Sequence, residues 1–147
     1  MITAKVELTQ PLKQQRQFVA QTGSGHDLLL DDTAGGTGPK PIELVAAALA
    51  GCTAFDVISI LRKKRQRVTG YEVRVAAEQA SAPPAVFTKV CIHHIVTGYD
   101  VDPAAVEAAI HLSEEKYCAV SNMIKKTAAL TTTFEIVPEK EPVAAAQ

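Results

Sequence analysis

A long and almost uninterrupted apolar run, Pro41 to Arg65 (PIELVAAALAGCTAFDVISILRKKR), limits what this chain can become more than any other stretch. Pro41 suits the first turn of a helix, where its missing N–H costs nothing. Glu43 places a negative charge in that turn, and Arg62, Lys63, Lys64 and Arg65 place cations at the other end, both in keeping with the helix dipole. Ala46, Ala47, Ala48, Leu49 and Ala50 are strong helix formers. The run therefore predicts one long helix, apolar nearly all the way round, which is either a core element or a membrane span. The length from Ile42 to Leu61 would permit a span. Glu43, Gly51, Thr53, Asp56 and Ser59 lie inside it and no second segment of this kind occurs, so the buried helix of a soluble protein is the reading, with no membrane partner.

The remaining chain supplies strands. Alternation predicts strands at 3–8, 14–20 and 26–30, the last two forming a hairpin through the turn at 22–25. Residues 31–40 (DDTAGGTGPK) read as loop. Gly70 reads as the end of the long helix's tail. Residues 71–78 and 87–97 read as a second hairpin, rich in β-branched side chains. Asp102 caps a helix that starts at Pro103 and runs to Leu112. Ser113 reads as the N-cap of a further helix carrying Tyr117, Cys118, Val120, Met123 and Ile124, and 130–137 as a last strand. The order βββ–α–ββ–α–α–β is that of an α+β fold, with helices and antiparallel sheets segregated. The reading is one domain over 1–137 and a flexible C-terminal tail over 138–147.

Charge and cysteine usage narrow the function. The net charge is −1, so no nucleic-acid footprint is expected, and the short basic cluster from Arg62 to Arg67 reads as a solvated helix end. There are three cysteines, and Met1 to Lys5 does not resemble a secretion signal. A cytoplasmic, reducing setting follows, where cysteines are buried, catalytic or redox-active more often than bridged. Cys91, between Val90 and Ile92 in a strand, reads as a small core residue. Cys52, beside Gly51 in the long helix, suits core packing and reactivity equally. Cys118 falls near the start of the helix capped by Ser113, with Lys116 two residues before it. Helix N-terminal peptide groups and a nearby cation both lower a thiol pKa. His93 and His94 point to opposite faces of a strand, and no CxxC or Cys–His metal spacing occurs, so no metal and no cofactor are expected.

Two motifs carry a resemblance. Gly38-Pro39-Lys40-Pro41-Ile42-Glu43-Leu44, followed by the alanine-rich helix and Gly51-Cys52, resembles the OsmC/Ohr family of thiol-dependent peroxidases. Ser113-Glu114-Glu115-Lys116-Tyr117-Cys118-Ala119-Val120 is similar to that family's second cysteine motif. With FTKVCIHHIVTGYD added, the likeness is greatest to the YhfA-like branch, and it runs from about Gly23 to Val137. The resemblance implies an intertwined homodimer with two long central helices flanked by antiparallel sheets. It implies an organic hydroperoxide substrate, Cys52 as the peroxide-reactive thiol, Cys118 as the resolving thiol and an external dithiol reductant.

The family's peroxidases pair the reactive cysteine with an arginine and with a glutamate placed directly after the proline. Here Ile42 holds that place and Glu43 follows, turned by ~100° around a helix. Glu43 and Cys52 are roughly 13–14 Å apart along one helix axis, so Glu43 serves a thiolate only through another residue or the other protomer's cysteine. Arg16 is the one arginine before the helix and so the candidate activating cation. The displaced glutamate motivates a second function class: a redox sensor, a thiol-disulfide protein or a small-molecule-binding dimer.

Overall fold

A computed structural model of the protein describes residues 1–9 and 16–142. The chain forms two compact units, Met1–Val45 and Ala46–Gln147. Each has its own three-stranded sheet.

In the first unit β1 (Ala4–Leu8), β2 (Phe18–Thr22) and β3 (Asp27–Leu30) pair antiparallel in that order. The second strand was expected over 14–20; Gln14 and Gln15 lie outside the described residues, and the strand runs Phe18–Thr22. The turn into β3 is closed by Gly25, whose φ of +85° is one that side-chain-bearing residues rarely adopt. Residues 31–40 form the expected loop, organised by two carboxylates. Asp31 accepts from the Asp32 and Thr37 amides (2.7 and 3.1 Å) and the Thr37 hydroxyl. Asp32 accepts from the Ala34 and Gly35 amides (3.0 and 3.1 Å).

The long helix α1 (Pro41–Lys63) starts in the first unit and continues into the second. It is not buried all round. Leu49, Thr53, Val57 and Leu61 form its one buried stripe, four residues apart. Phe55 is 78% exposed and Val45 38% exposed. The helix closes on a Schellman turn: Gln66 N–H reaches Leu61 O and Arg65 N–H reaches Arg62 O, both at 3.0 Å. Arg65 takes the left-handed position, with φ 57°. The chain then enters β4 (Arg67–Gln79) at once, so Gly70 lies inside a strand instead of closing the helix. It sits at a register shift between Val68 and Gly70, where a bulge moves the inward face onto Tyr71, Val73 and Val75.

β4 and β5 (Phe87–Tyr99) pair antiparallel, as expected for a hairpin. β5 and β6 (Ala129–Pro138) pair parallel, so this second sheet is mixed where antiparallel pairing was expected. Parallel neighbours need a crossover. Here it consists of α2 (Pro103–Leu112), a wide π-type turn at Ser113–Tyr117 and α3 (Ala119–Ile124). Asp102 caps α2 as expected, its carboxylate accepting from Ala104 N–H at 2.9 Å. The core of this unit joins Val57 and Leu61 of α1 to Val96 of β5 and to Val106, Ala109 and Ile110 of α2. Beyond β6, Glu139 N–H bonds Gly98 O at 2.9 Å and Glu141 pairs with Arg67 at 3.0 Å. Residues 143–147 of the expected tail lie outside the described residues.

Gly98 ends the buried row of β5. A Cβ there would overlap the Arg67 carbonyl oxygen and lie 2.8 Å from Val101 Cγ2. Backbone cannot yield as a side chain can. Gly98→Ala is therefore expected to destabilise the protein by about 3 kcal/mol, read as a lowered urea midpoint with an unchanged m-value.

Candidate functional site

Three donor atoms meet in the second unit. The Cys52 and Cys118 sulfurs and one carboxylate oxygen of Asp56 all lie within 4.8 Å of one another. The local folding reasons are simple. Cys52 and Asp56 are four apart on α1 and so share a helix face. Cys118 is delivered by the break between the π-type turn and α3, where its φ of −71° and ψ of 99° are extended, not helical. Its amide bonds Ser113 O at 2.8 Å, closing the turn, and its sulfur accepts from Ser121 N–H at 3.4 Å. Cys118, not Ser113, is thus the N-cap of the last helix.

Ser113 has a different task. It is fully buried, and its hydroxyl donates to Asp56 Oδ2 at 2.9 Å while lying 3.2 Å from Thr53 Oγ1. The π-type turn is braced from outside. Lys125 Nζ and Asn122 Nδ2 donate to Glu114 O at 2.9 and 3.2 Å, and the Thr132 hydroxyl donates to the Glu114 carboxylate. A π-type turn widens the helix and often marks functional positions. Here it lets Cys118 face α1.

All three cysteines are free thiols, in different settings: Cys52 half-buried, Cys118 buried and Cys91 exposed. The core reading of Cys91 fails because the inward row of β5 is the even one, Val90, Ile92, His94 and Val96, so Cys91 faces outward. There its sulfur accepts from Thr131 Oγ1 at 3.2 Å. The expected direction for Cys118 also reverses. Burial pushes its thiol pKa up, the neighbouring Cys52 adds to this, and the Ser121 contacts oppose it only in part. Lys116 does not help, since its ammonium lies over the Tyr117 ring, 5.5 Å from the centroid.

The other two candidates belong to the first unit. Glu43 Oε2 accepts from Lys40 N–H at 2.8 Å, the reach-back of a capping box, so the carboxylate secures the start of α1. Arg16 Nε pairs with Asp32 Oδ2 at 3.1 Å. That hydrogen bond, with the Gly35 amide, holds the Asp32 carboxyl below its usual range. Arg16 also lines an open pocket of about 630 Å³ with Val6, Phe18, Leu30, Lys40 and Pro41. Asp56 and Ser113 are site residues that the sequence marks only as a polar interruption of the helix and as an N-cap. A carboxylate one turn after a cysteine in an otherwise apolar helix was the available signal for Asp56.

Residues 34–133, which hold Cys52, Asp56 and Cys118, match the family model described as OsmC-like protein. The chain belongs to the OsmC-like family. It is 43% identical over 120 residues to protein YhfA of Escherichia coli K12, covering 82% of this chain and 90% of that one. A solved hypothetical protein from Aquifex aeolicus is 26% identical with a TM-score of 0.83, covering 95% of this chain and 98% of that one. An organic hydroperoxide resistance protein OsmC from Legionella pneumophila shares the OsmC-like fold at 20% identity. Its TM-score is 0.66, over 91% of this chain and 96% of that one.

Proposed function

We propose that the protein is a cytoplasmic, homodimeric, thiol-dependent reductase of organic hydroperoxides, with Cys52 as the attacking thiol and Cys118 as the resolving thiol. The observation that carries this is the approach of the two sulfurs within 4.8 Å, with one thiol half-buried and the other buried. The Cys52 thiolate attacks the terminal oxygen of ROOH. The O–O bond breaks, the sulfur becomes a sulfenic acid, and the alkoxide takes a proton and leaves as ROH. The Cys118 thiol then gives up its proton and displaces water from the sulfenic sulfur, forming the disulfide. An external dithiol returns both thiols by exchange, itself becoming a disulfide. The accessible thiol meets the peroxide first, and the buried one is kept for the second step.

The roles of Arg16 and Glu43 belong to this proposal. Arg16 lines a largely apolar pocket, a setting that suits an alkyl peroxide, and it supplies the cation of the family pattern. Glu43, one place beyond the family's glutamate position on α1, supplies the carboxylate, acting on the other protomer's thiol. The exposed apolar residues of α1, Phe55 foremost, supply a surface for a second copy to cover. Arg16→Ala and Glu43→Gln are each expected to slow oxidation of the reduced protein by cumene hydroperoxide by about tenfold or more, with Cys91→Ser unchanged. Rates equal to wild type in both variants would remove the two residues from the mechanism.

One observation favours a second reading. Among the described residues no lysine or arginine forms an ion pair with Asp56, and that carboxylate lies beside both sulfurs. Burial also raises the Cys118 thiol pKa, and a thiol kept protonated reacts slowly. A thiol-disulfide protein that oxidises slowly fits this feature. It predicts formation of the Cys52–Cys118 disulfide with oxidised dithiols, at a rate insensitive to organic peroxides.

A further inference from the structure

The spacing of cysteines and histidines along the chain contains no metal motif, yet the fold assembles a donor set from residues far apart in sequence. Two sulfurs and a carboxylate oxygen converge within 4.8 Å of one another. A tetrahedral zinc with bonds of about 2.3 Å to sulfur and 2.0–2.2 Å to oxygen holds its sulfurs about 3.8 Å apart. The three atoms therefore need to close by ~1 Å or less.

The supporting groups are also in place. The Ser113 hydroxyl fixes the Asp56 carboxylate at 2.9 Å, and the Ser121 amide points at the Cys118 sulfur from 3.4 Å. Such outer partners set the orientation of metal ligands. Asp56 also lines a cleft of about 400 Å³ with Leu112 and Tyr117. Lys63 and Lys64 line the same cleft, and neither forms an ion pair with Asp56. The site thus gathers three groups that are anionic once the thiols ionise, and among the described residues no lysine or arginine pairs with its carboxylate.

We propose that Cys52, Asp56 and Cys118 bind one thiophilic divalent cation of the zinc class, with the fourth coordination position open. Two sulfur donors select such an ion over magnesium or calcium. On binding, each thiol releases its proton to solvent, so two protons leave per metal. Two sulfurs must leave the metal before they can join as a disulfide, so metal and oxidant compete for one pair of thiols. The binding itself stands on donor geometry and does not depend on the peroxidase reading.

The test is a titration of the reduced wild-type protein with Co²⁺ without oxygen, followed by displacement with Zn²⁺. The expected result is one Co²⁺ per chain, with thiolate-to-cobalt charge-transfer absorption and two protons released in weak buffer. Zn²⁺ should then shield Cys52 and Cys118, but not exposed Cys91, from alkylation mapped by mass spectrometry. Asp56→Asn should weaken binding by at least about tenfold and Ser113→Ala by about 10–100-fold, with Cys91→Ser unchanged. Absence of the charge-transfer band, failure of Zn²⁺ to shield the two thiols, or binding that survives Cys52→Ser would overturn the proposal. The shielding measurement uses unaltered protein, so a variant that fails to fold does not blunt it, and no peroxide enters it.

Discussion

Cys52→Ser is expected to slow hydroperoxide reduction by ~10³-fold or more, because a hydroxyl at that position does not supply the nucleophile. Cys118→Ser should act differently. The first oxidation of Cys52 proceeds near the wild-type rate, but turnover stops, and Cys52 accumulates as sulfenic and then sulfinic acid. The asymmetry comes from burial: Cys118 has no exposed surface, whereas Cys52 is half-buried. Peroxide loss measured alongside intact-protein mass separates the two variants. Equal effects on the first oxidation would mean that the attacking thiol has been assigned to the wrong residue.

The second large effect is on acid stability. His94 is fully buried in β5, with its Nδ1 2.6 Å from the Tyr71 hydroxyl and its Nε2 without a partner. Burial lowers its pKa from 6.5 to about 4, and the neighbouring His93 contributes to the same direction. The unfolded chain takes up a proton as the pH falls below about 6.5, while the folded chain resists until about 4. Stability is therefore full above the unfolded value and is lost as the pH drops through this window. The loss amounts to about 3 kcal/mol from this one side chain. His94→Gln keeps an acceptor for Tyr71 and does not titrate, so its urea midpoint should change little over the same window. Equal losses in wild type and variant would assign the acid sensitivity elsewhere.

Much of the fold was legible because its elements carry local signals. The Pro41 start, the basic end of α1 and the Asp102 cap with Pro103 all fall where sequence placed them. The alternation of Tyr71, Val73 and Val75 likewise marked the inner face of β4. What local signals missed depends on tertiary packing. Gly70 looked like punctuation after a helix, but the Schellman turn at Arg65 had already ended it, and the glycine serves a bulge. Ser113 has the chemistry of an N-cap, yet the buried Asp56 partner and the π-type turn claim it. Cys91 looked internal because β5 is apolar, but period two sends odd positions outward. The parallel pairing of β5 with β6 had no local signature, since it is imposed by the crossover between them.

The candidate site was legible in part. The resemblance singled out Cys52 and Cys118 as residues, while their nearness is a property of the tertiary fold. Asp56 was visible in the sequence only as an ionisable interruption of an apolar helix. Its position beside both sulfurs follows from the helix period on one side and from the placing of Cys118 on the other.

Whether Cys52 and Cys118 act as one redox pair is decided by rapid mixing of reduced wild-type protein with cumene hydroperoxide or hydrogen peroxide, then quenching and mass spectrometry. The expected result is faster oxidation by the organic peroxide and a single intramolecular Cys52–Cys118 disulfide, with Cys91 still free. Oxidation no faster than that of a free thiol in solution, or a disulfide that involves Cys91 instead, would contradict it.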